Sequence, residues 1–155
     1  MLMKKICEQI EKELISLKAA ALATYQAATD EEAKPENKYD TRALEASYLA
    51  GAQALRVREI EDLLNVYRLL SLPSYSMDQT IGPAALVRLQ FAQKQILVFM
   101  LPKGGGLNVS VGSQQIQVVT PASPLGEALV GLGVGDSAIV EVGAAVKEYE
   151  ILEIC

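Results

Sequence analysis

Two periods divide the chain. In its first half apolar residues recur every three or four positions, the repeat of one helix face. Ile6, Ile10, Leu14, Leu17 and Ala21 form one such stripe, with Lys and Glu between them, and predict a helix over 2–28. Leu44, Tyr48, Ala52, Leu55, Glu59, Leu63, Tyr67 and Leu70 form another, broadened by Leu49, Ile60 and Leu64, and predict a helix over 39–71. The stretch AAALATYQAA (19–28) is rich in small residues, which lets two backbones approach closely. Gly51 is the one glycine in either helix, at a cost of about 1 kcal/mol against Ala. Pro35 blocks helix continuation and disfavours helical geometry at Lys34, so the chain reverses near 30–38. Helices of these lengths would run roughly 40 and 50 Å at the standard rise. The pattern predicts an antiparallel hairpin with its turn at the far end; half of a compact helical bundle is the alternative.

After Pro73 the helical period disappears. SLPSYSMDQTIGP (71–83) collects turn formers and reads as a linker. Short β-type segments follow at 85–91, 94–101, 115–120, 138–142 and 148–154, separated by turns such as PKGGG (102–106) and LGVGDS (132–137). SPLGEALVGL (123–132) fits one short helix. Ser123 is its N-cap, Pro124 its first residue, Glu127 lies near the capping-box position, and Gly131 or Gly133 ends it. The glycine-rich KGGGLNVSVG (103–112) lacks the order of a phosphate-binding loop, because its lysine precedes the glycines and a strand-like segment follows. A hairpin turn fits it better. The fold class is therefore α+β: a helical hairpin over 1–72, a linker over 73–82, and a small, mostly antiparallel sheet with one short helix over 83–155.

Composition narrows the chemistry. The chain has no histidine, which excludes histidine general bases, catalytic triads and histidine metal sites. A net charge of −5 argues against a duplex nucleic-acid binder and suits a partner with a positive surface. Cys7 and Cys155 make neither a metal spacing nor a disulfide framework, so a reducing compartment is expected. No signal-peptide pattern follows Lys4 and Lys5, and ILVFML (96–101) is too short to span a bilayer. The expected location is the cytoplasm, with no membrane partner. Five acids, Asp30, Glu31, Glu32, Glu36 and Asp40, crowd the break between the helices. Read alone they form a solvated turn, with Asp40 or Thr41 capping the second helix.

Two stretches resemble a known family. In TPASPLGEALVGLGVGDSAIVEVGAAVKEYEILEI (120–154), Ser123-Pro124, Leu129-Val130-Gly131, Gly135-Asp136 and Tyr149-Glu150-Ile151 follow the C-terminal signature of the bacterial GreA/GreB transcript-cleavage factors. ENKYDTRALEASYLAGAQALRVREIEDLL (36–64) is similar to that family's second coiled-coil helix as it leaves the tip. The resemblance implies a coiled-coil hairpin followed by an FKBP-like domain. It implies RNA polymerase as partner, with the globular domain docking on the enzyme and the hairpin entering its secondary channel. It implies no intrinsic enzyme activity and no tightly bound cofactor, but tip carboxylates that share a Mg²⁺ ion with the polymerase, the metal activating water to cut backtracked RNA. Asp30, Glu31, Glu32 and Glu36 are the candidate tip carboxylates, and Glu36 aligns with the family's glutamate as metal ligand. Tyr39, Asp40, Ser123 and Pro124 are candidate polymerase contacts. The family's cleavage-competent tip also carries an aspartate three residues before its glutamate, where this chain has Ala33. The resemblance thus covers both a cleavage factor and a homologue that modulates or inhibits the polymerase. An adaptor reusing the scaffold for another partner is the rival from a different class. A prolyl isomerase, suggested by the FKBP-like fold, would need an aromatic-lined pocket, and the C-terminal half offers Phe91, Phe99 and Tyr149.

Overall fold

The computed structural model describes residues 2–29, 42–75 and 79–155. It has two compact units, Met1–Leu69 and Leu70–Cys155. The first consists of α1 (Leu2–Thr29) and α2 (Arg42–Leu69), each of 28 residues and so about 42 Å long. Their direction follows from two ion pairs. Arg68 reaches Glu11 at 2.6 Å and Lys18 reaches Glu61 at 2.5 Å. Seven steps forward on α1 match seven steps back on α2, which is an antiparallel coiled coil in register.

The less exposed positions trace the seam. On α1 they are Ile10, Leu14, Leu17, Ala21, Thr24 and Ala28; on α2 they are Ala46, Ala50, Gln53, Val57, Ile60, Leu64 and Tyr67. Both runs alternate steps of three and four, the spacing of a coiled-coil core. The α1 stripe is the one read from the sequence. The α2 stripe is only half right. Leu63 and Tyr67 are buried, but Leu44, Tyr48, Ala52, Leu55 and Glu59 are exposed. The ion-pair register brings Ala21, Thr24 and Ala28 beside Val57, Gln53 and Ala50, and the three-four repeat of α2 continues from there to Ala46, so Leu55, Ala52, Tyr48 and Leu44 lie off the seam and face solvent. The second helix also closes at Leu69, short of the predicted 71, with Pro73 four residues on.

The second unit is a six-stranded sheet in the order β3-β4-β2-β1-β6-β5. The strands are β1 (Leu86–Phe91), β2 (Lys94–Met100), β3 (Asn108–Val111), β4 (Gln114–Val119), β5 (Ser137–Val142) and β6 (Ala145–Ile154). All neighbours run antiparallel except β2 and β4, which the β3 segment joins as a parallel pair. The glycines at 104–106 are not the hairpin turn read from the sequence, because β2 and β3 are not neighbours; they lie in the crossover that leads into β3, a strand absent from the sequence reading. Gly112 opens the β3–β4 hairpin at φ 64, the positive angle its first loop position requires. Val87, Leu89, Val98, Met100, Val119 and Ile151 form one core face, together with Leu129 of the short helix α3 (Pro124–Leu129). Ile81 belongs to this core at 1% exposure and exchanges backbone hydrogen bonds with Gly131 and Leu132. The sequence placed it in the 73–82 linker, yet it is built into the sheet unit.

Ser123 caps α3. Its Oγ accepts from the Gly126 N–H at 3.2 Å and donates to the Thr120 carbonyl at 2.7 Å. Gly126 occupies the capping-box position and Glu127 lies one residue past it, so the hydroxyl alone supplies the side-chain cap. The helix ends at Leu129, earlier than the predicted 132. The next residues turn aside, and the Gly131 N–H donates to the Ile81 carbonyl at 2.9 Å. Gly126 also meets the chain before the helix. A Cβ there would lie 1.9 Å from the Thr120 carbonyl oxygen, a clash between backbones that no rotamer relieves.

Two consequences are measurable. Gly126→Ala should lower the stability of the sheet unit by about 3 kcal/mol or more, because the first turn of α3 must move; an unchanged urea midpoint for that unit would remove the close approach. In the hairpin, Leu14→Ala should cost about 2–5 kcal/mol, whereas exposed Leu22→Ala should stay within about 0.5 kcal/mol. Helix melting followed by circular dichroism separates the two, and equal effects would contradict the seam.

Candidate functional site

The candidate residues fall into two groups. Asp30, Glu31, Glu32, Glu36, Tyr39 and Asp40 lie outside the described residues, as does Ala33. The described helices still fix where that segment is attached. In an antiparallel pair, Thr29 at the end of α1 and Arg42 at the start of α2 share one end of the hairpin, and the acid-rich stretch is the covalent link between them. Among the described residues no cluster of three carboxylates or thiols is arranged to hold a metal.

Ser123 and Pro124 stand at the mouth of a groove of about 360 Å³ between α3 and the sheet. Ile96, Val119, Leu125 and Val140 give it an apolar floor, with Gln117 and Tyr149 as polar edges. Pro124 is exposed and Ser123 is half-buried with its hydroxyl engaged in the cap, so the proline offers more surface to a partner than the serine. Beside the groove, Phe91 stacks on Tyr149 at 4.8 Å between ring centroids, and the Lys147 ammonium lies 5.8 Å from the Phe91 centroid. Phe99 is not part of this wall. It pairs in register with Leu86 and Val118, one residue out of phase with the α3-facing Val98, and so projects from the other face. The aromatic pocket of a prolyl isomerase is therefore not assembled.

The other signature residues hold this unit together. Asp136 Oδ2 accepts from the Gly133 N–H at 2.8 Å. The Gly135 N–H donates to the Ile151 carbonyl, and the Ile151 N–H donates to the Asp136 carbonyl. The Gly-Asp turn is thus tied to the centre of the Tyr-Glu-Ile strand. Next to it, Arg88 donates to Glu153 at 2.9 Å and holds that carboxyl below its usual range, aided by a bond from the Cys155 thiol. Burial pushes the thiols of Cys155 and Cys7 up, Cys155 further because Glu153 faces it and Cys7 because Glu11 does, so neither is an activated nucleophile. Burial likewise raises the Tyr67 hydroxyl, which stays protonated in the coil. No described helix is long and apolar enough to cross a membrane.

Comparison with known proteins bears on the same region. Residues 109–155 match the family described as "Transcription elongation factor, GreA/GreB, C-term". Transcription elongation factor GreA of Trichlorobacter lovleyi is 25% identical over 117 residues, which span 76% of this chain and 68% of that protein. Among solved structures, GreA factor homolog 1 (Gfh1) of Thermus thermophilus is similar at 20% identity and a TM-score of 0.39, covering 96% of this chain and 94% of its own. The GreA/GreB elongation factor of Nitrosomonas europaea is similar at 18% identity and a TM-score of 0.38, covering 76% and 94%. The cap, the Gly-Asp turn and the closing strand thus lie within the residues that match the GreA/GreB C-terminal family.

Proposed function

We propose that this protein is an RNA polymerase-binding elongation factor that places the acid-rich link of its hairpin in the enzyme's secondary channel. The observation that carries this reading is a GreA/GreB-type C-terminal match in a chain whose other unit is an antiparallel hairpin joined by five acids in residues 30–41. The sheet unit docks on the polymerase, with Pro124 and the adjoining groove as the contact. In this reading the protein has no reaction of its own and acts through chemistry the polymerase performs.

Mg²⁺ prefers hard oxygen ligands and commonly takes only one or two carboxylates from a protein, so the donor chemistry of Glu36 with Glu31 or Glu32 suits it. Such a shared ion supplies an activated water for phosphodiester cleavage. This chain contributes the carboxylate and its delivery on a stiff support. With Ala33 in place of an aspartate, it brings fewer ligands than the family's cleavage-competent tip. Channel occupancy is the primary activity in this reading, and cleavage stimulation depends on Glu36.

Purified protein should displace a GreA-type factor from core RNA polymerase at near-equal stoichiometry; absence of displacement would sink the proposal in favour of an adaptor with another partner. On backtracked complexes with Mg²⁺, Glu36→Ala should slow any stimulated cleavage by at least ~10-fold, since one of very few carboxylate ligands is lost. A rate equal to wild type would take Glu36 out of the mechanism while leaving the docking result intact.

A further inference from the structure

The two edges of the sheet are not alike. β3 closes one side with four residues. β5 closes the other with six, Ser137–Val142, and carries neither lysine nor proline, the residues that commonly keep an exposed edge from pairing. Gly135 and Asp136 share Ile151 as backbone partner, a bulge that ends before the strand begins.

Which backbone groups of β5 are free follows from its pairing. The Ile151 N–H bonds to Asp136 at one end, and a two-residue loop joins Val142 to Ala145 at the other. Bonded pairs alternate along an antiparallel ladder, so both ends assign Ala138, Val140 and Val142 to the bonds with β6. The N–H and C=O groups of Ser137, Ile139 and Glu141 therefore point off the sheet. Among the described residues no strand pairs with them. This edge is also one wall of a crevice of about 280 Å³, lined by Pro124, Glu127 and Ala128 of α3 and by Ile139, Val140 and Glu141 of β5. Unpaired strand groups facing a helix across a narrow gap are the arrangement that takes up an extended peptide as an added strand.

The side chains select the peptide. Ile139 is 61% exposed, which favours an apolar cross-strand neighbour. Glu127 and Glu141 are exposed on opposite walls, and Glu148 lies opposite Ile139. The one basic side chain of β5 and β6, Lys147, reaches toward β1 over the Phe91 ring, away from this edge. We propose that the free edge of β5 binds an extended segment of a partner protein, antiparallel, with a lysine or arginine against Glu141 followed by β-branched apolar residues. This goes beyond the function proposed above: the ligand is a linear segment held by main-chain hydrogen bonds, and its test involves no polymerase.

The probe is the peptide acetyl-Thr-Lys-Val-Val-Thr-Ser-amide, titrated into the full-length protein and followed through backbone amide resonances. In the antiparallel ladder its lysine lies opposite Glu141 and its second valine opposite Ile139. The Ile139 and Glu141 amides should shift, and those of Ala138 and Val140, already bonded to β6, should shift less. Ile139→Pro removes an outward donor and no bond to β6, so the sheet should stay folded while affinity falls at least ~10-fold. Glu141→Lys should weaken the probe at least ~3-fold, and should bind the same peptide with glutamate for lysine more tightly than wild type does. Should the proline variant unfold, this charge swap on an exposed side chain decides alone. No shift at Ile139 and Glu141 with millimolar probe overturns the site, as does wild-type affinity in a folded Ile139→Pro. Equal affinity of the wild type for the two peptides overturns the basic partner. A dimer in sedimentation that either variant dissociates overturns the peptide in favour of a second copy paired edge to edge.

Discussion

The hairpin depends on how close two helix backbones can come. Near its base the seam is Ile10, Leu14, Ile60, Leu64 and Tyr67, and these large side chains hold the helices through buried apolar surface. Farther out it is Ala21, Ala28, Ala46 and Ala50, which bury little but permit close approach. The change from large to small along one continuous three-four repeat has two effects. It concentrates stability at the base. It also lets the backbones approach most closely where Ala28 lies beside Ala50. The Glu11–Arg68 and Lys18–Glu61 pairs lie beside the large part of the seam and fix register more than they add stability, since both are solvent-accessible.

That distinction marks the limit of what the sequence could show. The α1 stripe was legible because its apolar residues alternate with Lys and Glu, so the period had contrast. In the first half of α2 nearly every residue is small or apolar, and a stripe chosen by size landed on the wrong face. Which face of α2 is buried follows from its register against α1, information that a one-helix periodicity does not contain. In the sheet unit the strands with clear alternation were found to within a few residues. The strand β3 was hidden because it is four residues long and follows three glycines. Burial of Ile81 was hidden because its partners, Gly131 and Leu132, are about fifty residues away in sequence.

The C-terminal signature was legible as a motif before its physics was. In the structure each of its residues solves a local problem. Ser123 satisfies an orphan N–H, Pro124 starts a helix where no donor is needed, and Asp136 ties a turn to the last strand. Gly126, which the sequence reading passed over, carries the strictest constraint, since the helix begins against the Thr120 carbonyl. A motif made of structural solutions identifies the domain well. It says less about which of its atoms touch a partner, and there exposure discriminates: Pro124 and the groove beside it are accessible, while the Ser123 hydroxyl is spent on the cap.

The distal hairpin poses a problem that alanine resolves. A segment with so small a seam gains little from packing, and most helices in proteins depend on packing for their stability. Charged pairs along its surface would help it stand alone, but it has few charges to make them. Alanine has the highest intrinsic helix propensity, so an Ala-rich segment of this length stays helical with modest tertiary support. The same residue lets the two helices lie close, which narrows the pair. The exposed leucines and tyrosines are set among small residues on helices rather than side by side on a strand edge, which limits self-association. Propensity and close approach thus select the same residue over the same stretch, and that convergence accounts for the composition of AAALATYQAA.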